Sequence, residues 1–293
     1  MKRFYRIAEF TISLEMPESA AWDHLSNMNP FQTSPGETIF SLEVCDHVSA
    51  ADIKPLYFSE KDPDMAMIRL YTCAGGYMVE LAPLPSRPIV ADLFISDDFK
   101  DNRMAFRKDP KVSGDLQAFA VNNALMLIYS FRTSTLGALE FHSSITVNDG
   151  KGYLFLGKSG TGKSTHSSLW LKHIPGSYLL NDDNPVVRVL DDGSIRVFGT
   201  PWSGKTPCYR QESVPVGAIV RISQSPENRI HRNSLPEAYA SVMASTSGFK
   251  AIKPIADGMH ASIATLVSTI PCYTLDCRPD KEAAELCHKT VSA

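Results

Sequence analysis

The sequence predicts a mixed α/β chain, with a β-rich part over residues 1–112 and, over residues 113–293, a domain whose mixed sheet and hairpins surround one glycine-rich loop. Three observations carry this prediction. An apolar run, residues 152–156, leads into Gly157-Lys158-Ser159-Gly160-Thr161-Gly162-Lys163-Ser164, and a helix-forming segment follows. Asp-Gly pairs lie on both sides of that motif, at Asp149-Gly150 and Asp192-Gly193, each between extended runs. Before residue 110, short β-like runs alternate with Pro, Gly, Asn and Asp.

In the first part, residues 4–16, 38–44, 65–71, 77–81 and 89–95 have the composition of strands, with turn residues between them. No chemical motif is legible there, and Asp97-Asp98 and Asp62-Pro63-Asp64 read as solvated turns. Residues 115–130 predict a long buried helix; the apolar stretch 116–131 is interrupted by Gln117, Asn122 and Asn123 and is too short to span a bilayer. Extended structure resumes over residues 136–147, up to the turn at Asp149-Gly150. With those two as the central turn residues, the hairpin register sets His142 opposite Gly157. Beyond the glycine-rich motif, a helix is expected from 163 to about 173, and a strand over 178–180 that enters Asn181-Asp182-Asp183-Asn184. A hairpin over 185–190 and 194–198 and a strand over 214–222 follow, then helices at 235–244 and 280–291 with a short strand at 272–275 before the last helix. A doubly wound sheet would cross over through a helix after each strand, so hairpins on both sides of the motif predict a mixed sheet instead.

A chain of 293 residues, 43% hydrophobic and 21% charged, has enough apolar surface for two domains or one large one. A net charge of −3 leaves no general basic field, so no nucleic-acid partner is expected. The six cysteines include no C-x-x-C pair, and a chain of this length does not need disulfides, which favours reduced thiols in the cytoplasm. Lys2 and Arg3 are followed by Glu9 and Glu15, which break the apolar run that an export signal requires. No membrane partner is expected.

The motif at 157–164 satisfies G-x-x-x-x-G-K-[ST], in which glycines let backbone N–H groups wrap a phosphate, Lys163 supplies a cation and Ser164 offers a hydroxyl to Mg²⁺. A nucleotide triphosphate is the expected ligand, with Gly157, Ser159, Gly160, Thr161, Gly162, Lys163, Ser164 and Thr165 as its binding positions. Asp182 and Asp183 end the strand after the loop and are placed to hold a metal; alone they would read as a turn or a cap. His142 reads as a catalytic histidine or as a satisfied sheet histidine. His166 and His173 read as surface or capping residues, Trp202 as a base-stacking or a loop-anchoring side chain, and Arg188 and Arg210 as members of solvated salt bridges.

A histidine-bearing strand, a hairpin, the loop, a helix and a strand ending in Asp-Asp resemble, in that order, the phosphoenolpyruvate carboxykinase-like P-loop kinases. His142-Ser143-Ser144, the run from Phe155 through Gly157 and Lys163 to Thr165, and Leu179-Leu180-Asn181-Asp182-Asp183 are similar to H-x-S, F-F-G-L-S-G-T-G-K-T-T and L-I-G-D-D-E of the ATP-dependent carboxykinases. They are also similar to H-G, G-D-S-G-V-G-K-S and I-A-D-D of HPr kinase/phosphorylase, over about residues 138–220. The resemblance implies ATP and Mg²⁺ as cofactors. Gly160, Gly162, Lys163 and Ser164 would hold phosphates and metal, Asp183 would ligate the metal, Asp182 would take the acceptor's proton, and His142 would be an active-site histidine. Residues 198–206 have the spacing of F-x-G-G-C-Y-A-K-T, which implies a phosphate or nucleotide contact for Lys205. Glu212 is spaced like the glutamate of E-x-R-G-x-G-I-I and would be a metal position, although Val214 and Pro215 replace its Arg and first Gly. A carboxykinase's arginine and lysine set for a dicarboxylate has no counterpart that can be placed, and the segment around Trp202 departs from HPr kinase. The implied activity is an HPr kinase-related phosphotransferase acting on a hydroxyl of a protein serine or a small molecule. The alternatives are a small carboxykinase-type enzyme acting on an oxo-acid and a nucleotide-sensing module without turnover, and self-association into a homo-oligomer stays open.

Overall fold

Period-two burial along short strands builds both halves of the molecule, in which the described residues form two mixed sheets of nine strands each. The structure is a computed structural model that describes residues 1–59, 66–109, 111–204 and 206–293. Backbone contacts divide it into Met1–Arg132 and Thr133–Ala293.

The first unit begins with β1 (Lys2–Ile7) and β2 (Phe10–Glu15), which the sequence reads as one run. They form a hairpin because Ala8 and Glu9 both take positive φ, 45° and 65°, the geometry of a tight two-residue turn. The sheet continues through β3 (Gln32–Thr33), β4 (Phe40–Val44), β5 (Lys54–Phe58), β6 (Met67–Cys73), β7 (Gly76–Ala82), β8 (Ala91–Ser96) and β9 (Asp101–Phe106) in the spatial order β3-β1-β2-β4-β9-β8-β7-β6-β5. Asp98 accepts from Lys100 N–H and the Ser96 hydroxyl in a turn, as expected, while Asp62, Pro63 and Asp64 lie outside the described residues. Helix α1 (Gly114–Ser134) runs four residues further than the expected 130. It belongs mostly to this unit, because Asn27 Nδ2 donates to Asn122 Oδ1 at 2.9 Å and the buried Tyr129 hydroxyl donates to Ile7 O at 3.1 Å. Most of the helix is thus counted with the first unit, which extends to Arg132.

The second unit contains β10 (Ala138–Glu140), β11 (Ser143–Asn148), β12 (Lys151–Leu156), β13 (Tyr178–Asp183), β14 (Val186–Val189), β15 (Ile195–Phe198), β16 (Ser213–Gln224), β17 (Arg229–Arg232) and β18 (Cys272–Cys277). Their main path is β10-β14-β15-β16-β12-β11-β13, with β18 also paired to β16 and β17 to β18. β12–β16 and β16–β18 are parallel and the remaining pairs antiparallel, so the sheet is mixed, as the flanking hairpins predicted. Asp149 and Gly150, at φ 47° and 71°, form the expected turn, and the β11–β12 register runs from Asn148↔Lys151 to Ser143↔Leu156.

Helices α2 (Lys163–His173) and α5 (Lys281–Val291) cover one face, over a core that includes Tyr153, Phe155, Trp170, Ile222, Leu275 and Cys287. α3 (Leu235–Ser245) starts at a Ser234/Glu237 capping box, and α4 (Lys253–Thr269) buries Ile255, Met259, Ile263 and Leu266 on one stripe. Trp170 is fully buried against Tyr153, Phe155 and His288, with ring centroids 5.0, 5.4 and 5.2 Å away. The expectation that His166 is a surface residue is corrected. It lies one turn before Trp170 on the same inward stripe, is 2% exposed, and its Nε2 accepts from Trp170 Nε1 at 3.1 Å. Among the described residues no helix is long and apolar enough to cross a membrane, and none of the six cysteines forms a disulfide.

Burial pushes His166 down from 6.5 to about 4, so the folded state binds fewer protons than the unfolded chain. The stability linked to this group is present above about pH 6.5 and is lost as pH falls toward about 4, an effect of about 3 kcal/mol. Urea denaturation at pH 7 and pH 4 is expected to show that loss, and His166→Gln to shrink the difference between the two pH values.

Candidate functional site

β12 delivers the chain to residue 157, and the loop turns on positive φ at Gly157, Gly160 and Gly162 (155°, 78° and 103°). Thr161 Oγ1 fills the space over Gly157, where a Cβ would lie 2.4 Å from it, and donates to Lys158 O at 2.8 Å. Gly162 occupies the N-cap of α2 and offers no capping side chain, which leaves the first-turn N–H groups for an anion. Ser159, Ser164 and Thr165 are exposed along the rim.

Lys163 is turned inward, 8% exposed, and all three of its ammonium donors have acceptors. Nζ lies 2.8 Å from His142 Nε2, 3.1 Å from Gly157 O and 3.4 Å from Lys158 O. Because the ammonium can only donate, His142 Nε2 accepts, so Nδ1 carries the ring proton and donates to Asp183 Oδ1 at 3.0 Å. Burial lowers the Lys163 pKa, and the charges of Asp183 and Asp182 oppose that shift. His142 reaches this position one residue before the β11 ladder begins, with its N–H bound to Ser245 O at 2.8 Å.

Successive side chains leave opposite faces of a strand, and this separates the two aspartates. Asp182 pairs across the ladder with Ser144, whose hydroxyl lies 2.6 Å from that of Ser167 on α2, and on this face Asp182 Oδ1 accepts from Ser164 Oγ at 3.0 Å. Asp183 faces the other way, toward His142, and also accepts from Asn184 Nδ2 at 3.2 Å. Burial raises the Asp183 pKa, but its hydrogen bonds and charge contacts with His142, Lys163 and Asn184 outweigh that and leave it below the ordinary value.

A buried polar knot fixes the pair. Asn181 is fully buried, its Nδ2 donates to Thr200 Oγ1 and Trp202 O at 3.3 and 3.2 Å, and its Oδ1 accepts from Asn184 N–H at 3.1 Å. Gly204 N–H and the Ser203 hydroxyl donate to Asp182 O at 2.7 and 3.1 Å, so residues 199–204 fold back over the aspartates. A Cβ on Gly204 would lie 3.1 Å from Asp183 Cβ, and only glycine allows that approach without displacement. Asp183 itself sits at φ 131°, a conformation that costs a non-glycine residue about 1–3 kcal/mol. Trp202 is 5% exposed and anchors this loop in the core. Sequence reasoning missed Asn181 and Glu140. Glu140 is buried on β10, and burial followed by the charge of Asp183 holds its carboxyl well above the ordinary range. Its signal was a lone acid between Leu139 and Phe141.

Two expected positions stand apart. Glu212 precedes β16 and accepts from the Tyr178 hydroxyl at the start of β13, the opposite end of that six-residue strand from Asp183; the structure does not bring it to Ser164. Arg210 lies over the Tyr178 ring at 5.3 Å. Burial first, and then the Glu212 hydrogen bond and charge, push the Tyr178 hydroxyl up to about 12. Lys205 lies outside the described residues.

The chain belongs to the family described as SynChlorMet cassette protein ScmC, whose model matches residues 107–280. No curated protein matches the sequence. Among solved structures the chain is similar to the Hpr(Ser) kinase/phosphatase from Coxiella burnetii, at 12% identity and a TM-score of 0.32, over 52% of this chain and 88% of that one.

The strain at residue 183 has a measurable consequence. Asp183→Gly is expected to be more stable than Asp183→Ala by about 1 kcal/mol in urea denaturation, the reverse of the usual Gly–Ala order. An Ala variant as stable as the Gly variant would mean that no strain is held there.

Proposed function

We propose that this protein is an ATP- and Mg²⁺-dependent phosphotransferase, HPr kinase-like in its chemistry, that moves a phosphoryl group to a hydroxyl of a protein serine or a small molecule. The observation that carries the reading is the double contact at the loop mouth, Lys163 through His142 to Asp183 and Ser164 to Asp182. The six thiols, none in a disulfide, support a cytoplasmic setting.

The donor set suits magnesium. A serine hydroxyl and a carboxylate 3.0 Å apart are hard oxygen ligands, and Mg²⁺ completes its shell with phosphate oxygens and water. Among the described residues no three His, Cys, Asp or Glu side chains converge to hold a metal by themselves, so water and phosphate oxygens would supply the rest of such a shell. Bound between Ser164 and Asp182, Mg²⁺ would neutralise charge on the outer phosphates.

The chain's own groups supply the remainder. First-turn N–H groups of α2 and the loop backbone bind the phosphates, and Lys163 exchanges its His142 contact for a phosphate oxygen. Asp183, ionised and oriented by His142, accepts the proton of the incoming hydroxyl as its oxygen bonds to the γ-phosphorus. The bond from that phosphorus to the β,γ-bridging oxygen breaks, and ADP leaves. These roles for Asp182 and Asp183 are the reverse of those implied by the family resemblance, because the resemblance fixes their order in the chain and not the faces from which they project.

With γ-labelled ATP, Mg²⁺ and an extract of metabolites and proteins, the wild-type chain is expected to label an acceptor. Asp183→Asn should lower transfer about 100-fold or more with an unchanged Mg²⁺ requirement. Asp182→Asn should raise the half-saturating Mg²⁺ about tenfold or more. ATP binding with no transfer in wild type would sink the kinase reading and leave a nucleotide-sensing module.

A further inference from the structure

The sheet puts different chemistry on the two flanks of the phosphate loop. On one flank β11 and β13 bring His142, Asp182 and Asp183 to the loop mouth. On the other flank lie β16 and β18, parallel to β12 and ending at the same side of the sheet. Beyond their ends is a cavity of about 490 Å³, lined in part by Thr165 and Leu169 of α2, Ile222 and Gln224 of β16, and Arg278 and Pro279 after β18. Gln224 Nε2 donates to Gly160 O at 3.2 Å, which joins the cavity wall to the loop.

We infer that this cavity receives the nucleoside of the bound nucleotide, so that the triphosphate lies across the loop with its γ-phosphate at the aspartates. This rests on the phosphotransferase reading, which sets the γ-phosphate at Asp183, and adds where the esterified end of the nucleotide lies. A nucleoside triphosphate has one free phosphoryl end and one esterified end. The free end must meet the acceptor and the groups that take its proton, so the esterified end projects to the opposite flank, where the cavity is.

The lining has the chemistry that a nucleoside needs. The volume falls in the range of small-molecule pockets, about 300–1,000 Å³. Leu169, Ile222 and Pro279 supply apolar surface for a base. Arg278 is held at the rim by ion pairs with Asp280 and Glu282, both at 2.9 Å, and presents a fixed planar cation that can stack on a base. His166, also in the lining, gives a second and independent pointer. Its Nε2 is occupied by Trp170, so Nδ1 carries the proton, and that buried N–H has no partner among the described residues. Buried donors are ordinarily satisfied, and a ribose or base acceptor at the inner wall would satisfy this one.

The test is calorimetric titration of the full chain with Mg·ATP and, separately, Mg·tripolyphosphate, which carries the same phosphates and no nucleoside. Leu169→Trp narrows the inner wall, and Pro279→Trp does the same from the exposed rim, where folding tolerates the change. Either variant is expected to weaken ATP binding about tenfold or more while tripolyphosphate changes less than about twofold. Unchanged ATP affinity in both variants, or parallel loss of both ligands in both, overturns the assignment of the cavity and leaves the loop reading standing. A wild-type chain that binds neither ligand overturns the phosphotransferase reading and the inference with it.

Discussion

A buried ammonium whose three donors are shared among a histidine and two loop carbonyls is the interaction on which the site depends. An unpaired charge at this depth would be costly, so Lys163 stays inward only because Gly157 O, Lys158 O and His142 Nε2 are all in reach. Each acceptor comes from a different consequence of the sequence. The carbonyls exist in that orientation because glycines permit the loop's turns. His142 arrives because an Asp-Gly hairpin fixes the register of β11 on β12, and His142 stands just before the first paired residue, Ser143. Asp183 completes the chain by accepting a hydrogen bond from the far ring N–H, and its charge partly offsets the desolvation of the lysine.

Strain and support are balanced around the same point. Asp183 is held at a φ that glycine would occupy more easily, and the buried Asn181 network together with the fold-back at Ser203 and Gly204 prevents it from relaxing. A strained carboxylate on one face and a relaxed one on the other give two adjacent residues different partners, His142 and Ser164. Glu140, kept toward its neutral acid by burial and by Asp183, avoids a third negative charge in the same volume. With three carboxylates ionised there, the balance that keeps Lys163 and Asp183 in place would change.

Where local chemistry decides conformation, the sequence was legible. Asp149-Gly150 dictated a turn and therefore a register, the glycine pattern dictated the loop, and the start of α2 at Lys163 followed from both. Elements whose burial comes from distant partners were not legible. β9 hides its alternation behind Asp101, Asn102 and Arg103, β17 carries one apolar residue, Ile230, among three polar ones, and α4 opens with Lys253-Pro254 and carries Gly258 inside it. The same limit applies at the site. That His166 is buried depends on Trp170 and Phe155 closing over it, and that Glu212 sits away from the loop depends on the direction in which β16 runs. Motif spacing placed Asp182 and Asp183 beside the loop, but only the pleat of β13 decides which of them meets Ser164.

The most direct measurement is a crystal structure of the full chain with Mg²⁺ and a non-hydrolysable ATP analogue. The expected map has the β- and γ-phosphates against the backbone N–H groups of residues 160–164, the metal between Ser164 and Asp182, and the γ-phosphate facing His142 and Asp183. Phosphates bound away from the loop, or a metal held without Ser164, would contradict the proposed phosphoryl-transfer site around Lys163.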